Sequence, residues 1–149
     1  MASHDEIDTE RRLTLRFVRR WREAAGDRPY ARLVDLMETD FDGFADHRFV
    51  IALSADRAPV LIRIGPGLAP PAPKAAAYSA LEDLPPNCLT AQAAAPWRKA
   101  VSHAAPQIHG GGYANAAGQE TWFRAAIAPA TTDGATLNAL VGVASRRLS

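Results

Sequence analysis

Three residues in the second half of the chain have side chains that could transfer protons. His103 and His109 lie close together in the sequence, and Glu120 is the acidic residue nearest to them. A histidine beside a carboxylate in a pocket can act as a general acid or base. If the three side chains converge, a small α+β cone enzyme is the alternative function. The sequence contains no GxSxG, HExxH, phosphate-loop or CxxC motif that would indicate another chemistry.

A second set of candidate ligands is acidic and surrounds Gly43. Glu38, Asp40, Asp42 and Asp46 offer oxygen atoms to a cation, but their spacing lacks the closing glutamate of a calcium loop. Aspartate beside glycine is also ordinary turn chemistry. We therefore expect no metal at this segment.

The composition narrows the class of protein. With 149 residues, 48% of them hydrophobic, the chain is large enough for one domain with its own core. The formal net charge of +1 produces no strong positive electrostatic field of the kind that attracts nucleic acid. A lone cysteine, Cys88, excludes an internal disulfide and favours a reducing compartment. The acidic N-terminus and the absence of an apolar run of ~20 residues predict a cytoplasmic protein without a membrane span.

The first element that the sequence predicts is a helix over residues 8–25. Leu13, Phe17 and Trp21 recur at helical spacing, and arginines occupy the other side. We treat residues 1–28 as an N-terminal helical extension. Its apolar side is expected to pack on the domain or on a second copy, and these three residues are the predicted interaction residues of the helix.

Alternating apolar residues predict five strands. Two of them, 48–53 and 59–64, form a first hairpin, with Phe49, Ile51 and Leu53 on one face of the first strand and Val60, Ile62 and Ile64 on one face of the second. Residues 107–114 form a strand whose three glycines imply a bulge or a closely approached backbone. The stretch 119–147 forms a long second hairpin.

The turn of that second hairpin and the segment between the two hairpins have their own signals. Asp133-Gly134 suits a tight turn. Residues 68–86 are rich in proline and form a connector, with one helical turn predicted over 78–84. An alanine-rich stretch, 89–104, predicts a helix that restarts at Pro96, a residue suited to a first helical turn.

This order of elements resembles a PAS domain: a helix, two strands, a helical connector, a longer helix and three strands. The long hairpin adds a local resemblance, because Pro129, Asp133-Gly134 and Gly142 occupy the places of the proline, the acidic-glycine turn and the late glycine of PAS domains. The chain after about residue 29 resembles a short stand-alone PAS family common in alphaproteobacteria. The resemblance implies an α+β fold in which a five-stranded antiparallel sheet is covered on one face by helices. Residues 29–149 would form the PAS-like domain, preceded by the amphipathic N-terminal helix.

The same resemblance implies a bacterial sensory or regulatory signalling module. It would act through protein–protein interaction, as a homodimer or with an unidentified signalling protein, and a small ligand between sheet and helices could gate it; a collapsed core without ligand is the alternative. Gln107 is a further candidate polar contact in that pocket. Trp122 and Arg124 face the other way and are predicted to contact a partner. The predicted ligand-binding residues are Trp97, Val101, Tyr113, Phe123, Ala125, Ile127, Asn138, Leu140 and Gly142.

Cofactors known in PAS domains fit this sequence poorly. Asn87-Cys88 and Gln92 match part of the motif of flavin-binding light sensors, but Leu89 stands where that motif has an arginine. Haem needs an axial histidine that faces the pocket, and His103 lies near a helix end where the helix dipole also favours it. We expect neither flavin nor haem.

Overall fold

The computed structural model describes residues 4–38, 44–68 and 79–148. The helices in these ranges are α1 (His4–Ala25), α2 (Leu33–Met37), α3 (Leu89–Ala94) and α4 (Trp97–His103). The strands are β1 (Ala31–Arg32), β2 (Arg48–Ser54), β3 (Arg57–Ile64), β4 (Ser79–Ala80), β5 (Gln107–Ala114), β6 (Glu120–Thr131) and β7 (Ala139–Leu148). Asp40, Asp42 and most of the proline-rich connector lie outside the described residues.

All seven strands belong to one sheet. Its order is β1–β6–β7–β2–β3–β4, and β5 also pairs with β6. The five predicted strands are present and pair antiparallel, whereas β1 runs parallel to β6. The α+β class is therefore confirmed, but the sheet is mixed and has seven strands instead of five. The two additional strands have two residues each, which is too short for alternation to reveal them.

Strand β6 has two different partners along one edge. The segment from Glu120 to Ile127 pairs with β5, and Ala130 and Thr131 pair with β1. Ala128 and Pro129 lie between the two ladders. A proline is tolerated at this point because its missing N–H would have no strand to bond.

Helices cover both faces of the sheet, not one face as predicted. On one face, α1 packs over β6 and β7, and its side chains share a core cluster with Ala126, Ala128 and Val141. On the other face, α3 packs over the same two strands and α4 packs over β6, in a second cluster with Phe123 and Ile127. α1 thus contributes side chains to a buried core cluster that it shares with the sheet.

The end of α1 has a specific local cause. Gly26 adopts a left-handed φ of 57°, and its N–H bonds the Arg22 carbonyl at 3.0 Å. Such a glycine after the last helical turn satisfies a free carbonyl without a Cβ penalty. Arg28 donates to the carbonyls of Ala24 and Ala25, at 2.9 and 3.4 Å. The helix therefore stops where the sequence predicts.

A bulge in the first hairpin changes which residues share a face. Phe49 pairs with Ile64 and Ile51 pairs with Leu61, so the ladder shifts between the two. As a result, Ile64 and Leu61 pack on the α3 side, while Ile62 packs on the α1 side. The predicted common face of Val60, Ile62 and Ile64 is wrong, because an extra residue in one strand reverses the alternation beyond it.

The second hairpin closes through a seven-residue loop, 132–138, instead of a tight turn. The carboxylate of Asp133 accepts hydrogen bonds from the N–H groups of Thr136 and Ala135, at 2.7 and 2.8 Å, and from the Thr131 hydroxyl at 2.8 Å. These hydrogen bonds hold the pKa of Asp133 well below its usual range, and the bond from Thr136 has the largest effect. Gly134 has the left-handed φ that the sequence predicts, at 88°. The aspartate organises the loop in the manner of an Asx turn.

The alanine-rich segment divides as predicted. α3 ends at Ala94, and α4 begins directly after Pro96, whose missing N–H is tolerated at a helix start. Ala104 terminates α4 in a left-handed conformation, with φ of 52°. The connector forms β4 and a short 3₁₀ turn at Leu81–Asp83 where one helical turn was predicted over 78–84.

Candidate functional site

The three candidate proton-transfer residues do not come together. His103 is the last residue of α4 and is exposed. His109 lies on the face of β5 that packs under α3, where its Nε2 is 2.9 Å from the Ala93 carbonyl. Glu120 occupies the opposite face of the sheet, at the far end of the β5–β6 ladder. The geometry therefore contains no acid–base pair made from these residues.

His109 instead acts as a packing and hydrogen-bonding residue. A carbonyl can only accept, so Nε2 carries the proton of this hydrogen bond. The ring meets Phe123 edge-to-face at a centroid distance of 5.3 Å. Burial lowers the pKa of His109, and the bond to Ala93 opposes this shift in part. The side chain ties β5 to α3.

Most of the predicted ligand-binding residues do lie together. Trp97 and Val101 of α4 and Tyr113 of β5 pack against one cluster on the α3 side of the sheet. The buried sheet residues of that cluster include Phe123, Ala125, Ile127 and Leu140. Alternation within β6 and β7 therefore assigned the correct face to these strand residues.

The Phe49 ring fills the space over Gly142 in this cluster. A Cβ built on Gly142 would overlap the Phe49 ring and would lie 2.8 Å from the Ala126 carbonyl oxygen. Phe49 and Leu140 are fully buried. A ligand in this region would have to displace the Phe49 ring. An open depression of about 450 Å³ lies instead on the β2–β3 hairpin, lined by Ala52, Ser54, Asp56, Arg57, Val60 and Ile62.

Asn138 and Gln107 have local structural partners. Asn138 precedes β7 and closes the 132–138 loop, where its side chain donates to the Thr132 hydroxyl at 2.6 Å and accepts from the Thr132 N–H at 2.9 Å. Gln107 donates to the Ala105 carbonyl at 3.2 Å. The prediction that Asn138 shares the pocket face of β7 is therefore wrong, because the strand begins only at Ala139.

The interaction residues predicted on α1 are buried inside the chain. Leu13, Phe17 and Trp21 pack against the sheet, and Phe17 stacks on Phe44 at a centroid distance of 5.7 Å. The indole Nε1 of Trp21 donates to the Pro129 carbonyl at 2.7 Å, in the gap between the two ladders of β6. These three residues consequently form intramolecular core, and an exposed interaction surface cannot use them.

A part of the sheet face beyond α1 remains uncovered. Trp122 is 41% exposed and Ile108 is 45% exposed, and both lie on the same face as Arg124. Trp122 pairs with Gly112, and a Cβ on that glycine would lie 3.3 Å from the indole ring. The ring thus rests on the bare backbone of β5, and this contact explains the close approach that the glycines predicted. We call Ile108, Gly110, Gly112, Trp122 and Arg124 the open sheet patch.

Sequence reasoning identified Trp122 and Arg124 but missed Ile108. The signal was present: Ile108 is the one large apolar side chain among the even-numbered residues of β5. The strand-pairing register, with Ile108 opposite Ala126 and Gly112 opposite Trp122, places both side chains on one surface. The alternation is hidden in the sequence because the three central glycines of β5 carry no side chain that would continue it.

Cys88 and Gln92, which match part of a flavin-binding motif, both make local hydrogen bonds. Cys88 is half-buried, and its Sγ accepts from the Ala91 N–H at 3.4 Å at the start of α3. Gln92 donates to the Pro86 carbonyl at 2.6 Å. Within residues 4–38, 44–68 and 79–148, no group of three His, Cys, Asp or Glu side chains is placed to hold a metal ion. No helix in the described part of the chain is long and apolar enough to cross a membrane.

Neither a protein-family model nor a curated protein matches this chain.

Proposed function

We propose that this chain is a PAS-like regulatory module that acts through protein contacts made by the open sheet patch. The observation that carries the proposal is the exposure of Trp122 and Ile108 beside Arg124 on a sheet face that α1 covers only in part. Tryptophan and arginine are, with tyrosine, the residue types enriched at binding hot spots. A large exposed aromatic next to a second apolar residue is the composition of an interaction surface.

The arrangement of the strands supports the PAS-like part of the proposal. The first two long strands and the last three share one sheet, and α3 and α4 cover one of its faces, as the resemblance implies. Fold resemblance alone does not assign a function. The regulatory role therefore depends on the surface, and we place the module in the reducing cytoplasm because its lone cysteine needs no oxidising compartment.

The packing between the sheet and α3 determines how a small ligand could act on the module. Between the sheet and α3, the Phe49 ring occupies the space over Gly142. A small ligand would gate the module only by moving this ring. Protein contact at the open sheet patch requires no such rearrangement, so we propose partner binding as the primary mode of action and ligand gating as secondary.

The test compares two single substitutions of exposed apolar residues. Trp122→Ala removes the centre of the open sheet patch, whereas Leu15→Ala removes a side chain that is 54% exposed on α1. Complexes of the full chain are measured by native mass spectrometry after purification from the native host, and reconstituted from the separate components. We expect a stoichiometric complex that Trp122→Ala weakens at least ~30-fold, as truncation of a hot-spot tryptophan does.

The control variant gives the experiment its specificity. Leu15→Ala should leave the complex within about threefold of the wild-type affinity, because an exposed leucine outside the contact contributes little. Circular dichroism must show that both variants are folded. A chain that forms no stoichiometric complex, or a complex indifferent to Trp122→Ala, would refute the proposal.

A further inference from the structure

The two edges of the sheet differ in their protection against pairing with another chain. On the β3 side, the edge carries Arg57, Pro59 and Arg63, its pairing with β2 is bulged, and β4 covers part of it. Charge, proline, bulges and short covering strands are the devices by which proteins block edge-to-edge pairing. The β3 edge has all of these devices.

The β5 edge has none of these devices. The strand reads QIHGGGYA, without lysine, arginine, acid or proline. Its eight residues pair with β6 in one unbroken register, and among the described residues β5 pairs with β6 alone. Every second residue of such a strand directs its N–H and C=O outward. An uncharged edge of eight residues without a bulge is a template for another strand.

The glycines of β5 make this edge unusually accessible. Gly110 and Gly112 lie on the open sheet patch, and Gly111, opposite Phe123, lies on the α3 side of the sheet. Gly110 could not carry a side chain, because a Cβ would lie 2.7 Å from the Phe123 carbonyl oxygen. The centre of the edge is therefore bare backbone, flanked on the patch side by Ile108 and by the indole of Trp122.

We propose that β5 pairs antiparallel with β5 of a second copy of this chain, about a twofold axis at Gly110. This inference rests on the proposed function, since it names the partner of the open sheet patch. In this register Ile108 lies opposite Gly112 of the second copy, the residue that the second copy's Trp122 covers. Directly opposite residues in an antiparallel pair share a face. Each Ile108 thus packs beside the Trp122 ring of the other copy, and two exposed apolar side chains per copy become buried.

The charges of the strand and patch fit a second copy. β5 carries no formal charge at neutral pH, since burial lowers the pKa of His109, so self-pairing opposes no like charges across the twofold axis. Arg124 pairs with Gly110, which lies at the twofold axis. The Arg124 residues of the two copies therefore lie in one row across four strands, three strand spacings or about 14 Å apart. That distance exceeds the Debye length of about 8 Å at physiological salt. Repulsion between them is therefore weak.

The test measures self-association and strand protection in the full chain. Sedimentation over a dilution series should give twice the chain mass of 16.0 kDa. Ile108→Lys introduces the charge that edge strands use against pairing, and we expect it to weaken the dimer by about 100-fold. Leu15→Lys, at a leucine of α1 that is somewhat more exposed than Ile108, should leave the dimer affinity within about threefold. Hydrogen exchange of the wild type should show alternate amides of β5 gaining protection as the concentration rises.

The possible outcomes separate this inference from the proposed function. A dimer without added protection in β5, or one that Leu15→Lys dissociates and Ile108→Lys does not, uses another surface and overturns the inference. A wild-type monomer that forms a Trp122-dependent complex with a different protein overturns the inference but retains the proposed function. A monomer that forms no complex overturns both.

Discussion

The contact between Gly142 and Phe49 allows a quantitative test of how the core is filled. Gly142→Ala would introduce a Cβ that overlaps the Phe49 ring and lies 2.6 Å from its Cε1 atom and 2.8 Å from the Ala126 carbonyl oxygen. Phe49 is fully buried, so its ring cannot move toward solvent without opening the cluster. The substitution therefore produces overpacking.

Two opposing contributions determine the magnitude. Overpacking in a dense core costs about 1–3 kcal/mol. Replacing glycine by alanine in a strand returns about 0.5–1 kcal/mol through reduced backbone entropy of the unfolded chain. The difference spans about 0–2.5 kcal/mol, and because the new Cβ would overlap a fully buried ring we expect a net loss of about 1–2 kcal/mol in the free energy of unfolding. Gly111→Ala is the matched control, because a Cβ there meets only the Phe123 ring, at 3.8 Å, and should be neutral or slightly stabilising.

A double-mutant cycle tests the cause. Phe49→Leu shortens the aromatic side chain and costs roughly 1–2 kcal/mol, less than the 3–5 of deletion to alanine. In the double variant the new methyl group occupies the space that the ring left, so the two losses should offset each other by about 1–2 kcal/mol. Urea unfolding followed by circular dichroism measures all four proteins. A coupling energy below about 0.5 kcal/mol, or a neutral Gly142→Ala, would show that the ring does not fill this space.

Two further predictions concern buried polar groups. Trp21→Phe keeps an aromatic ring but leaves the Pro129 carbonyl without its 2.7 Å donor, so we expect the free energy of unfolding in urea to fall by about 1–3 kcal/mol. A fall no larger than that caused by Trp97→Phe would contradict this account. His109 should make stability fall as the pH drops below 6.5, because its pKa is lowered by burial and the unfolded chain then binds a proton that the folded chain does not. His109→Gln can still donate to the Ala93 carbonyl, and it should reduce the loss of stability between pH 7 and about 5, whereas His103→Gln should not. Equal dependence of the free energy of unfolding on pH in the wild type and both variants would exclude the effect.

The long strands could be predicted because alternation is a local signal. Phe123, Ala125 and Ile127 occupy one face, and Ala126 and Ala128 occupy the other, as a period of two requires. The break at Pro96 and the helix end at Gly26 were equally local, since each depends on the backbone of a single residue. These features did not require knowledge of which elements touch.

The features that the sequence did not reveal depend on contacts between distant segments. The bulge that separates Ile62 from Ile64 is a property of two strands and cannot be read from one. The space over Gly142 is filled by the ring of Phe49, a residue more than ninety positions earlier in the chain. Small residues in a strand therefore indicate either a pocket or a large neighbour, and the strand itself does not distinguish the two.

The position of α1 decides which surface remains for a partner, and of the two expected arrangements, packing on the domain or on a second copy, the structure shows packing on the domain. Leu13, Phe17 and Trp21 had the spacing of an interaction helix, but the same spacing suits a helix that packs on its own sheet. The Trp21 indole donates to the Pro129 carbonyl, which has no strand partner because it lies in the gap between the two ladders of β6. With α1 held there, the uncovered surface begins beyond it, at Arg124 and Trp122. The helix predicted to contact a partner thus defines, by its own packing, the boundary of the surface that we propose for that contact.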